Sequence, residues 1–513
     1  MQVVQLTVII LYFVLLAVVG KIAKKYAKSS SDFLIAGRNM GVVLVTVSIV
    51  GEWLGGMSTI GTSEKAFNTG FFPMWYNIST AVGMFLFGMI IASVYRKNDV
   101  HTVGEMLQKY FNRNVRIVAS LAFVVAFVIL SYLQLQAIGT LVKQLFGGLL
   151  QNMSGALQSA TGLYQLFAPY SLAIIIAGIF VIFYVYEGGM KSIALTNLMH
   201  IILLFSTIII VFIVVLSKVG GYSGLFGLLQ NKFISEGMTA PDAAATVASF
   251  KNPFSQGFGE MAAWLLGGIL AGFASQASIQ PVFAARNISV AKKSALLSAL
   301  FIAPLGILVS TMGMAVRSGA FGQLKNAKEA LPFLLMSDGF LPSWLSGLAA
   351  AGILAAILST VAPVMFAVST ILVKDFYHLI INKDASDQQL MKASKLLTIF
   401  VGLVTIPMAI FIPGGILETA YITYGIRGAA AIVVLFGVFA ISKKTGKSIV
   451  TPNAATAAII AATVGILVFV WTKHYIFKFL GFTFDKVYVS IVVTLVTLFF
   501  VTLFSRKKGV VNA

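Results

Sequence analysis

The sequence lacks cysteine and is poor in charged residues. With no cysteine in 513 residues, disulfide bonds, thiolate metal ligands and thiol nucleophiles are excluded. Charged residues make up 10% of the chain and hydrophobic residues 59%, whereas soluble domains carry about 25% charged residues. The four histidines are scattered and form no pair at the helical spacing of metal ligands; they are His101, His200, His378 and His474. This composition excludes a soluble globular enzyme and predicts a polytopic membrane protein.

Acidic residues are also scarce, so the net charge is +20, with 16 Asp and Glu against 36 Lys and Arg. The basic residues gather in every second predicted loop, which sets membrane topology and does not indicate nucleic-acid binding. The clusters are Lys21, Lys24, Lys25, Lys28 and Arg38; Arg96, Lys97, Lys109, Arg113 and Arg116; Lys374, Lys383, Lys392 and Lys395; Lys443, Lys444 and Lys447; and Arg506, Lys507 and Lys508. The positive-inside rule predicts a multi-pass protein of the cell membrane, with its N-terminus outside and its C-terminus in the cytoplasm.

Hydropathy predicts thirteen helices, an odd number that agrees with termini on opposite sides. Their ranges are 4–20, 40–69, 74–95, 116–148, 167–185, 191–217, 256–284, 291–316, 346–373, 394–412, 416–441, 451–472 and 487–505. No basic n-region precedes the first helix and it has no small-residue cleavage site, so we interpret it as a retained span. We expect short surface helices, acting as an outer gate, in loops 218–255 and 317–345, and an amphipathic interfacial helix in 97–115.

One stretch of the second predicted helix is costly at membrane depth. Residues 49–61 contain a glutamate, four glycines, a serine and a threonine. A glycine weakens a helix by about 1 kcal/mol relative to alanine, and a charge in the bilayer costs at least about 2.5 kcal/mol. Helix breaks are tolerated there when the freed carbonyls face a cavity or an ion. The stretch therefore predicts a transporter organised around a broken helix.

The carbonyls of this break have the spacing of a cation site. Gly51 and Leu54 lie three residues apart, so their carbonyls share one helix face. The pair Gly55 and Gly56 just beyond would deprive those carbonyls of amide donors. The alternative is a glycine-rich helix that packs tightly against a neighbour.

The ninth predicted helix supplies the complementary half. Ser359 and Thr360 are adjacent hydroxyls in an apolar run, and Ala356 precedes them by one turn. One carbonyl and two hydroxyls here, with two carbonyls from the second helix, make five oxygens for sodium, because hard cations prefer oxygen ligands. The alternative is that both hydroxyls bond carbonyls of their own helix, as is common in membranes.

Three further stretches resemble a known family. They are residues 32–41 (DFLIAGRNMG), 188–194 (GGMKSIA), and 355–360 (AAILST) continuing to 369–377 (STILVKDFY). They resemble, in order, the entries to the second and sixth helices and the ninth helix of the sodium/solute symporter family. That family includes sodium/proline, sodium/pantothenate and sodium/glucose transporters, and the similarity runs from about residue 32 to 440.

The resemblance implies an all-α, LeuT-type fold of two inverted five-helix repeats, predicted helices 2–6 and 7–11. In a single transporter domain, 1–513, it places a peripheral first helix in 1–30, the repeats in 40–217 and 256–441, and two peripheral helices in 451–505. Ion and substrate sites then lie at the midplane, between the broken first helices of the repeats. A gap-free match from Gly37-Arg38 places the family's main sodium site at the five residues already indicated by spacing: Gly51, Leu54, Ala356, Ser359 and Thr360.

One position departs from the family pattern. Many members have an aspartate in the sixth helix that contributes to a second cation site or to its coupling, whereas this chain has Asn197. A second sodium site would therefore lack its carboxylate. Asn197, Glu52 and Arg427 are the coupling candidates.

Glu52 and Arg427 are the two charges placed deepest in the predicted spans. A buried carboxylate without a cation binds a proton. Glu52 therefore has four open roles: charge balance for sodium, proton coupling, a ligand for a substrate amine, or an internal salt bridge. Arg427 has three: partner of Glu52, clamp for a substrate carboxylate, or lining of the inner exit.

The seventh predicted helix contains a small polar stretch, residues 267–281, that ends at Pro281 and is the counterpart of the first break. The family uses this unwound region for substrate, although an arginine is common near the position of Pro281. Helix-to-helix hydrogen bonding is the alternative for Gln276, and an interfacial aromatic belt is the alternative for Trp75. The candidate substrate-binding residues are Glu52, Gly55, Trp75, Gln134, Phe273, Ser275, Gln276 and Tyr421. Weaker candidates are Tyr76, Asn77, Tyr132, Gln136 and Tyr424.

We therefore expect a secondary active symporter, not an enzyme, that couples inward movement of Na⁺ to uptake of a small organic solute by alternating access. A proton-coupled transporter using Glu52 on the same fold is the alternative, and a non-transporting sensor is a weaker one, because only a short basic tail precedes Ala513. An amino acid, a monocarboxylate, pantothenate and a sugar all fit, and Glu52 with Arg427 favours the first two. The expected partners are Na⁺, the solute and the lipid bilayer, without nucleic acid. A monomer is compatible with the sequence, which leaves the oligomeric state open.

Overall fold

The computed structural model describes residues 2–24, 29–186, 189–337, 339–443, 446–472 and 485–507. Every regular element in these ranges is a helix. We number the apolar helices α1 to α13 in chain order, and two of them consist of two pieces. They are α1 Gln2–Lys24, α2a Val42–Trp53, α2b Met57–Thr69, α3 Met74–Ile90, α4 Arg113–Thr161, α5 Pro169–Tyr186, α6 Met190–Val219, α7a Phe258–Phe273, α7b Gln276–Ala284, α8 Ile288–Arg317, α9 Ser343–Ile371, α10 Asp387–Phe411, α11 Ile416–Phe439, α12 Pro452–Trp471 and α13 Lys486–Lys507.

All thirteen predicted helices are present, and most ends agree within a few residues. Among the described residues, ten helices are long and apolar enough to cross a membrane, and the bent α2 makes an eleventh. The apolar parts of α1 and α3 are shorter, at Val3–Val19 and Met74–Ile90. Several residues named from the sequence lie outside the described ranges: Lys25, Lys28, Gly188, Lys444, His474 and Lys508.

Two helices are longer than predicted. α4 continues to Thr161 instead of ending at residue 148, because residues 149–161 are polar enough to end the hydropathy signal yet contain no proline. Its 49 residues are not one straight helix, because the backbone leaves helical geometry at Phe146 (φ −117°, ψ 20°), close to the predicted end. α9 continues beyond Ile371 as a π-helix, Leu372–Ile381.

The predicted break in the second helix is present. α2a ends at Trp53, Leu54 leaves helical geometry (φ −97°, ψ 47°), and α2b begins as a π-turn after a bend of 53°. Gly55 is required here by close approach, since a methyl group at this position would lie 2.3 Å from the Thr360 hydroxyl of α9. The break therefore lies where the second helix crosses α9.

The counterpart in the seventh helix is also broken. Ala274 (φ −137°, ψ 26°) and Ser275 (φ −84°, ψ 103°) separate α7a from α7b. Beyond α7b the backbone pairs with the segment that enters α2a, because Met40 donates to Ala284 and Arg286 donates to Met40, each at 3.0 Å. The two broken helices are therefore fastened to each other at one end.

The centre of the molecule is α9, in which every residue from 349 to 371 is buried. It packs against α1, α4, α6 and α10 as well as α2a. Large apolar side chains are exposed on the outer faces of α1, α10, α12 and α13, as expected for helices in contact with lipid. The broken helices thus lie beside the most buried helix of the bundle.

Loops on opposite sides differ in structure. We call the side on which α1 begins the N-terminal face and the opposite side the C-terminal face. The N-terminal face carries the predicted short surface helices, Gly221–Ser235, Ala240–Lys251 and Ala330–Met336. On the C-terminal face, the helix Val103–Tyr110 was predicted as interfacial. Its apolar residues are buried under α4, so it is packed into the protein.

Candidate functional site

Four of the five predicted sodium ligands meet where α2a ends against α9. The Ser359 hydroxyl lies 3.1 Å from the carbonyl oxygen of Gly51 and 2.7 Å from that of Ala356. The Thr360 hydroxyl lies 2.6 Å and 3.5 Å from the same two oxygens. We call these four groups the carbonyl–hydroxyl cluster. Both hydroxyls bond their own helix, as the alternative expected, but both also reach across to α2a.

The end of α2a gives this cluster a negative potential. Leu54, the fifth predicted ligand, is the residue at which the helix ends. The carbonyls of a last helical turn have no helical donors and carry the negative end of the helix dipole. A set of neutral oxygens at such a position suits a hard monovalent cation, as at the unwound helices of other transporters.

Gly55 and Gln134 border the cluster. A methyl group on Gly55 would lie 2.9 Å from the Gln134 side-chain oxygen, which accepts a hydrogen bond from the Gly56 amide at 2.8 Å. The Gln134 side-chain nitrogen has no hydrogen-bond partner among the described residues. These two predicted substrate residues therefore lie between the break and α4.

The predicted charges Glu52 and Arg427 are joined through the second break. The Ser275 hydroxyl lies 3.0 Å from Glu52 Oε1 and 3.0 Å from Arg427 Nη1, so it donates to the carboxylate and accepts from the guanidinium. The direct distance from Arg427 Nη1 to Glu52 Oε1 is 3.7 Å. All three residues are buried. We call them the Glu52–Ser275–Arg427 bridge; it links α2a, the α7 break and α11.

The bridge is incomplete at both ends. Glu52 Oε2 is buried and has no hydrogen-bond partner among the described residues. The guanidinium makes two further, long contacts to Thr423, at 3.3 and 3.4 Å. It also lies over aromatic rings, 4.7 Å from the centroid of Tyr424 and 5.5 Å from that of Trp53. Since buried polar groups are almost always hydrogen-bonded, the free carboxylate oxygen marks a place for another group.

Aromatic rings connect the bridge to the N-terminal face. We call Trp53, Tyr424, Tyr76, Tyr421 and Trp264 the aromatic row, with centroid distances of 6.0, 5.8, 6.2 and 4.5 Å along it. Within the described chain, the buried Trp53 indole nitrogen has no hydrogen-bond partner, whereas the hydroxyls of Tyr421 and Tyr424 lie close to those of Ser79 and Tyr76. The row therefore holds a donor that a bound molecule would satisfy.

A cavity of about 530 Å³ opens on the N-terminal side of the row. Trp264 and Tyr421, which stack on each other, form part of its lining. Charged residues line it too: Lys65, Glu260, Glu418, Asp485 and Lys486. In this conformation the aromatic row lies between this cavity and the bridge.

Comparison with known proteins identifies the family of the chain. The sequence profile of the sodium:solute symporter family matches residues 33–447. The chain belongs to the sodium:solute symporter family. It is 23% identical to sodium/proline symporter 2 of Staphylococcus saprophyticus over 520 residues, covering 98% of this chain and 93% of the relative. It is 22% identical to a sodium/glucose cotransporter of Vibrio parahaemolyticus over 399 residues, covering 74% and 68%.

The fold has a solved counterpart. The structure of a Na⁺-coupled sialic acid symporter, in a substrate-bound outward-open state, matches with a TM-score of 0.74 and 19% identity, covering 98% of this chain and 97% of that one. The predicted all-α fold of LeuT type is therefore confirmed, as is the prediction of a sodium-coupled solute transporter and not an enzyme. The division of this symporter into the residue ranges given above stays a prediction.

Three predicted substrate residues of the symporter lie away from the bridge. Gln276 accepts from the Val103 amide at 2.8 Å and donates to the His101 carbonyl at 2.9 Å, so it holds the start of the helix Val103–Tyr110. Phe273 is buried, and its carbonyl accepts from the Tyr95 hydroxyl at 2.8 Å. Trp75 donates to Pro253 in a loop of the N-terminal face. In this conformation these groups serve packing between elements.

Asn197 lies against the carbonyl–hydroxyl cluster. Its side-chain nitrogen lies 3.4 Å from the Ser359 carbonyl, and a methyl group on Gly51 would lie 2.5 Å from it. Its side-chain oxygen has no partner among the described residues. The residue that stands where many symporters of this family have aspartate therefore touches both halves of the cluster without bringing a charge.

Two residues near the bridge were missed from the sequence. Trp53 and Trp264 belong to the aromatic row. Each occurs in an apolar run of the sequence, where a tryptophan is typical of ordinary packing between membrane helices. Trp53 follows Glu52 directly, and that adjacency was the one available signal. Trp264 lies eleven residues before Ser275 in sequence, so only the fold shows that it lies above the same site.

Proposed function

We propose that this symporter binds Na⁺ at Gly51, Leu54, Ala356, Ser359 and Thr360 and carries it inward with a small organic solute. The observation that carries the proposal is the meeting of oxygens from α2a and α9 in the carbonyl–hydroxyl cluster. Their separations of 2.6 to 3.5 Å allow one cation to contact them all. The two hydroxyl hydrogens would turn away from the cation.

Sodium would act by joining two elements that otherwise separate. The ion links the end of α2a to α9, and these helices have few other polar contacts at this depth. A ligand shifts a conformational equilibrium only by its differential affinity for the two states. Because both halves of the site must be together to hold it, sodium would favour the arrangement in which α2a lies against α9.

The solute would bind next to the ion, between the two breaks. Glu52, Ser275 and Arg427 supply polar groups there, and Tyr421 lies towards the N-terminal face. In our proposal the N-terminal face is outside the cell and the C-terminal face is in the cytoplasm, as the basic loops indicate. The solute then enters from the cavity above the aromatic row, and rearrangement of α2 and α7 opens the way inward.

Binding of sodium tests the proposal before any solute is known. The purified protein should bind radiolabelled Na⁺ and show a sodium-dependent rise in melting temperature that choline chloride does not reproduce, since a ligand of the folded state stabilises it. The double variant Ser359→Ala/Thr360→Ala should lose both effects. The matched control is Ser298→Ala/Thr398→Ala, which removes one serine and one threonine that bond only carbonyls of their own helices.

Two results would overturn the proposal. One is unchanged sodium binding in the Ser359→Ala/Thr360→Ala variant while the control variant is also unchanged. The other is uptake, in proteoliposomes, that follows an imposed pH gradient and ignores sodium. That outcome would favour proton coupling through Glu52.

A further inference from the structure

The geometry of the Glu52–Ser275–Arg427 bridge differs from that of a fully bonded ion pair. Its charged atoms are 3.7 Å apart and meet through a hydroxyl. Glu52 Oε2 has no partner among the described residues, although the carboxylate is only 2% exposed. A buried ion pair stabilises a fold only when its remaining hydrogen-bonding atoms are satisfied. This pair keeps both charges buried and leaves bonding capacity on each.

We infer that the solute is a small zwitterion, with a carboxylate that binds Arg427 and an ammonium group that donates an N–H to Glu52. The inference rests on the proposed sodium-coupled transport and adds the chemical class of the solute. The relatives above are named for an amino acid and for a sugar, so the family alone does not supply this class.

Charge balance argues for a zwitterion over a solute with one charge. A lone carboxylate on Arg427 would share that guanidinium with the Glu52 carboxylate, and two buried carboxylates at one site repel each other. A lone amine on Glu52 would share that carboxylate with Arg427 and leave one positive charge uncompensated. A zwitterion adds one charge of each sign and leaves the bridge neutral, as buried charges require.

Sodium would lie outside the bridge, in the carbonyl–hydroxyl cluster. The negative end of the α2a dipole there offsets roughly half an elementary charge. Contact with the oxygens of α2a and α9 stabilises the rest of the sodium charge, and the bridge remains for the solute.

The bridge also selects the kind of ammonium. Glu52 Oε2 is an acceptor without a donor, so the solute nitrogen must carry hydrogen. A quaternary ammonium has none and would leave that oxygen unsatisfied. The apolar remainder of the solute would contact the aromatic row, where Tyr424 and Trp53 already flank Arg427. Primary and secondary amino acids fit, and betaines do not.

The test is a binding screen on the purified, full-length protein in sodium chloride. The probes are the proteinogenic amino acids, followed for each binder by its amide, its deaminated acid and its N-trimethyl derivative. We expect at least one amino acid to raise the melting temperature in sodium, and each derivative to bind at least tenfold more weakly. Stabilisation by monocarboxylates or sugars, with no amino acid effective, would overturn the inference.

Variants of the bridge give a second, independent readout. Glu52→Gln should weaken amino-acid binding at least tenfold. It should also reduce the preference for the amino acid over its deaminated acid, because the amide of this variant would not repel the carboxylate of the solute. Arg427→Lys should weaken the binding of both the amino acid and its deaminated acid. The matched controls are Glu236→Gln and Arg317→Lys, which alter an ion pair on the N-terminal face that is partly exposed. An unchanged preference in Glu52→Gln would show that the bridge is only structural.

Sodium binding separates this inference from the proposed function. Glu52→Gln and Arg427→Lys should keep the sodium-dependent rise in melting temperature, which also shows that they fold. If wild-type protein lacks that rise, the proposed sodium site fails. If the rise is present but no amino acid binds, only the zwitterion inference fails.

Discussion

Two buried ionic clusters in this symporter differ in how completely they are bonded. On the C-terminal face, the Asp375 carboxylate lies 2.6 Å from the Arg116 guanidinium. It also accepts hydrogen bonds from the hydroxyls of Thr102 at 2.9 Å and Ser120 at 2.5 Å, so both carboxylate oxygens are bonded. Between the helix breaks, the Glu52 carboxylate accepts one hydrogen bond, from Ser275, and lies 3.7 Å from Arg427. Both carboxylates are buried, and yet only that of Asp375 has a partner on each oxygen.

The complete cluster holds helices together, whereas the incomplete one has an atom available to a ligand. Around Asp375, helix α4, the helix Val103–Tyr110 and the end of α9 are held together by bonds that leave no carboxylate oxygen free. Around Glu52, the same types of group leave a carboxylate oxygen free in the described structure. Because an unsatisfied buried polar atom costs about 1–3 kcal/mol, it persists only where something compensates, and a transported solute would do so.

Removal of Asp375 is expected to have the largest effect on stability. Asp375→Ala removes the bonds that Arg116, Thr102 and Ser120 make to this carboxylate, which should reduce the free energy of unfolding by about 3–5 kcal/mol. Arg116 keeps its ion pair with Glu105. Glu52→Ala should cost less, because it removes a single hydrogen bond and an ion pair of 3.7 Å, and Arg427 keeps its contacts to Ser275 and Thr423. Reversible unfolding in mixed detergent micelles measures both. An equal or larger loss for Glu52→Ala would break the comparison.

A single methyl group should disturb the site between the breaks without touching a charge. Gly55→Ala places a carbon 2.3 Å from the Thr360 hydroxyl and 2.6 Å from the Thr360 β-carbon. We expect sodium affinity to fall at least tenfold, about 1.4 kcal/mol, in a direct sodium-binding assay. Gly155→Ala is the control, since no described atom lies within 4 Å of its added carbon. It should leave sodium binding unchanged, and unaltered affinity in Gly55→Ala would contradict the site.

Gln276 links the α7 break to the C-terminal face, so its substitution should affect stability more than sodium binding. Gln276→Leu removes hydrogen bonds to Val103 and His101 and leaves two backbone groups unsatisfied, so we expect a loss of about 1–2 kcal/mol. Sodium binding should persist. Gln158→Leu, on the exposed end of α4, is the control. Loss of solute binding out of proportion to the loss of stability would place Gln276 at the solute instead.

The smallest expected effect is a pH dependence at Glu105, which pairs with Arg116 on the C-terminal face. Burial alone would raise the pKa of this carboxyl, but hydrogen bonds from His101 and the charges of His101 and Arg116 outweigh it and lower the pKa to about 2. A depressed pKa in the folded state gives stability that is present above the unfolded value, near 4.3, and is lost as pH falls towards 2.

The expected loss for Glu105 is roughly 1–2 kcal/mol at pH 3 relative to pH 7. Glu105→Gln should therefore flatten the acid limb of the stability profile between pH 5 and 3. Glu418→Gln is the control, because this glutamate lies on the opposite face and its side chain is 62% exposed. A steeper acid limb in Glu105→Gln would reverse the predicted sign.

The sequence predicted the fold well because the membrane imposes simple rules. Every backbone polar group in lipid must be satisfied within the segment, so apolar runs become helices with readable ends. The glycines and the glutamate in residues 49–61 violate those rules, and this is why the first break was visible. The extension of α4 to Thr161 was missed because a helix beyond the hydrocarbon no longer needs apolar residues.

The five residues of the proposed sodium site could be named from the sequence because they depend on local spacing. Gly51 and Leu54 share a face of α2a, and Ala356, Ser359 and Thr360 share a face of α9. The distances between the two groups, 2.6 and 3.1 Å from Gly51, required the fold. The bonding partners of Gln276 required the fold as well, because its neighbours in sequence gave no sign that it would bond to residues 101 and 103.

By itself the sequence determined the helices, the position of the first break and the oxygens offered on each side of it. It named Glu52 and Arg427 as the deepest charges but left their relation open. Only the tertiary structure decided that relation, because the two residues come from helices 375 positions apart and meet through Ser275 of a third. Whether a buried pair is complete depends on distances of a few tenths of an ångström between distant segments, which a linear pattern does not contain.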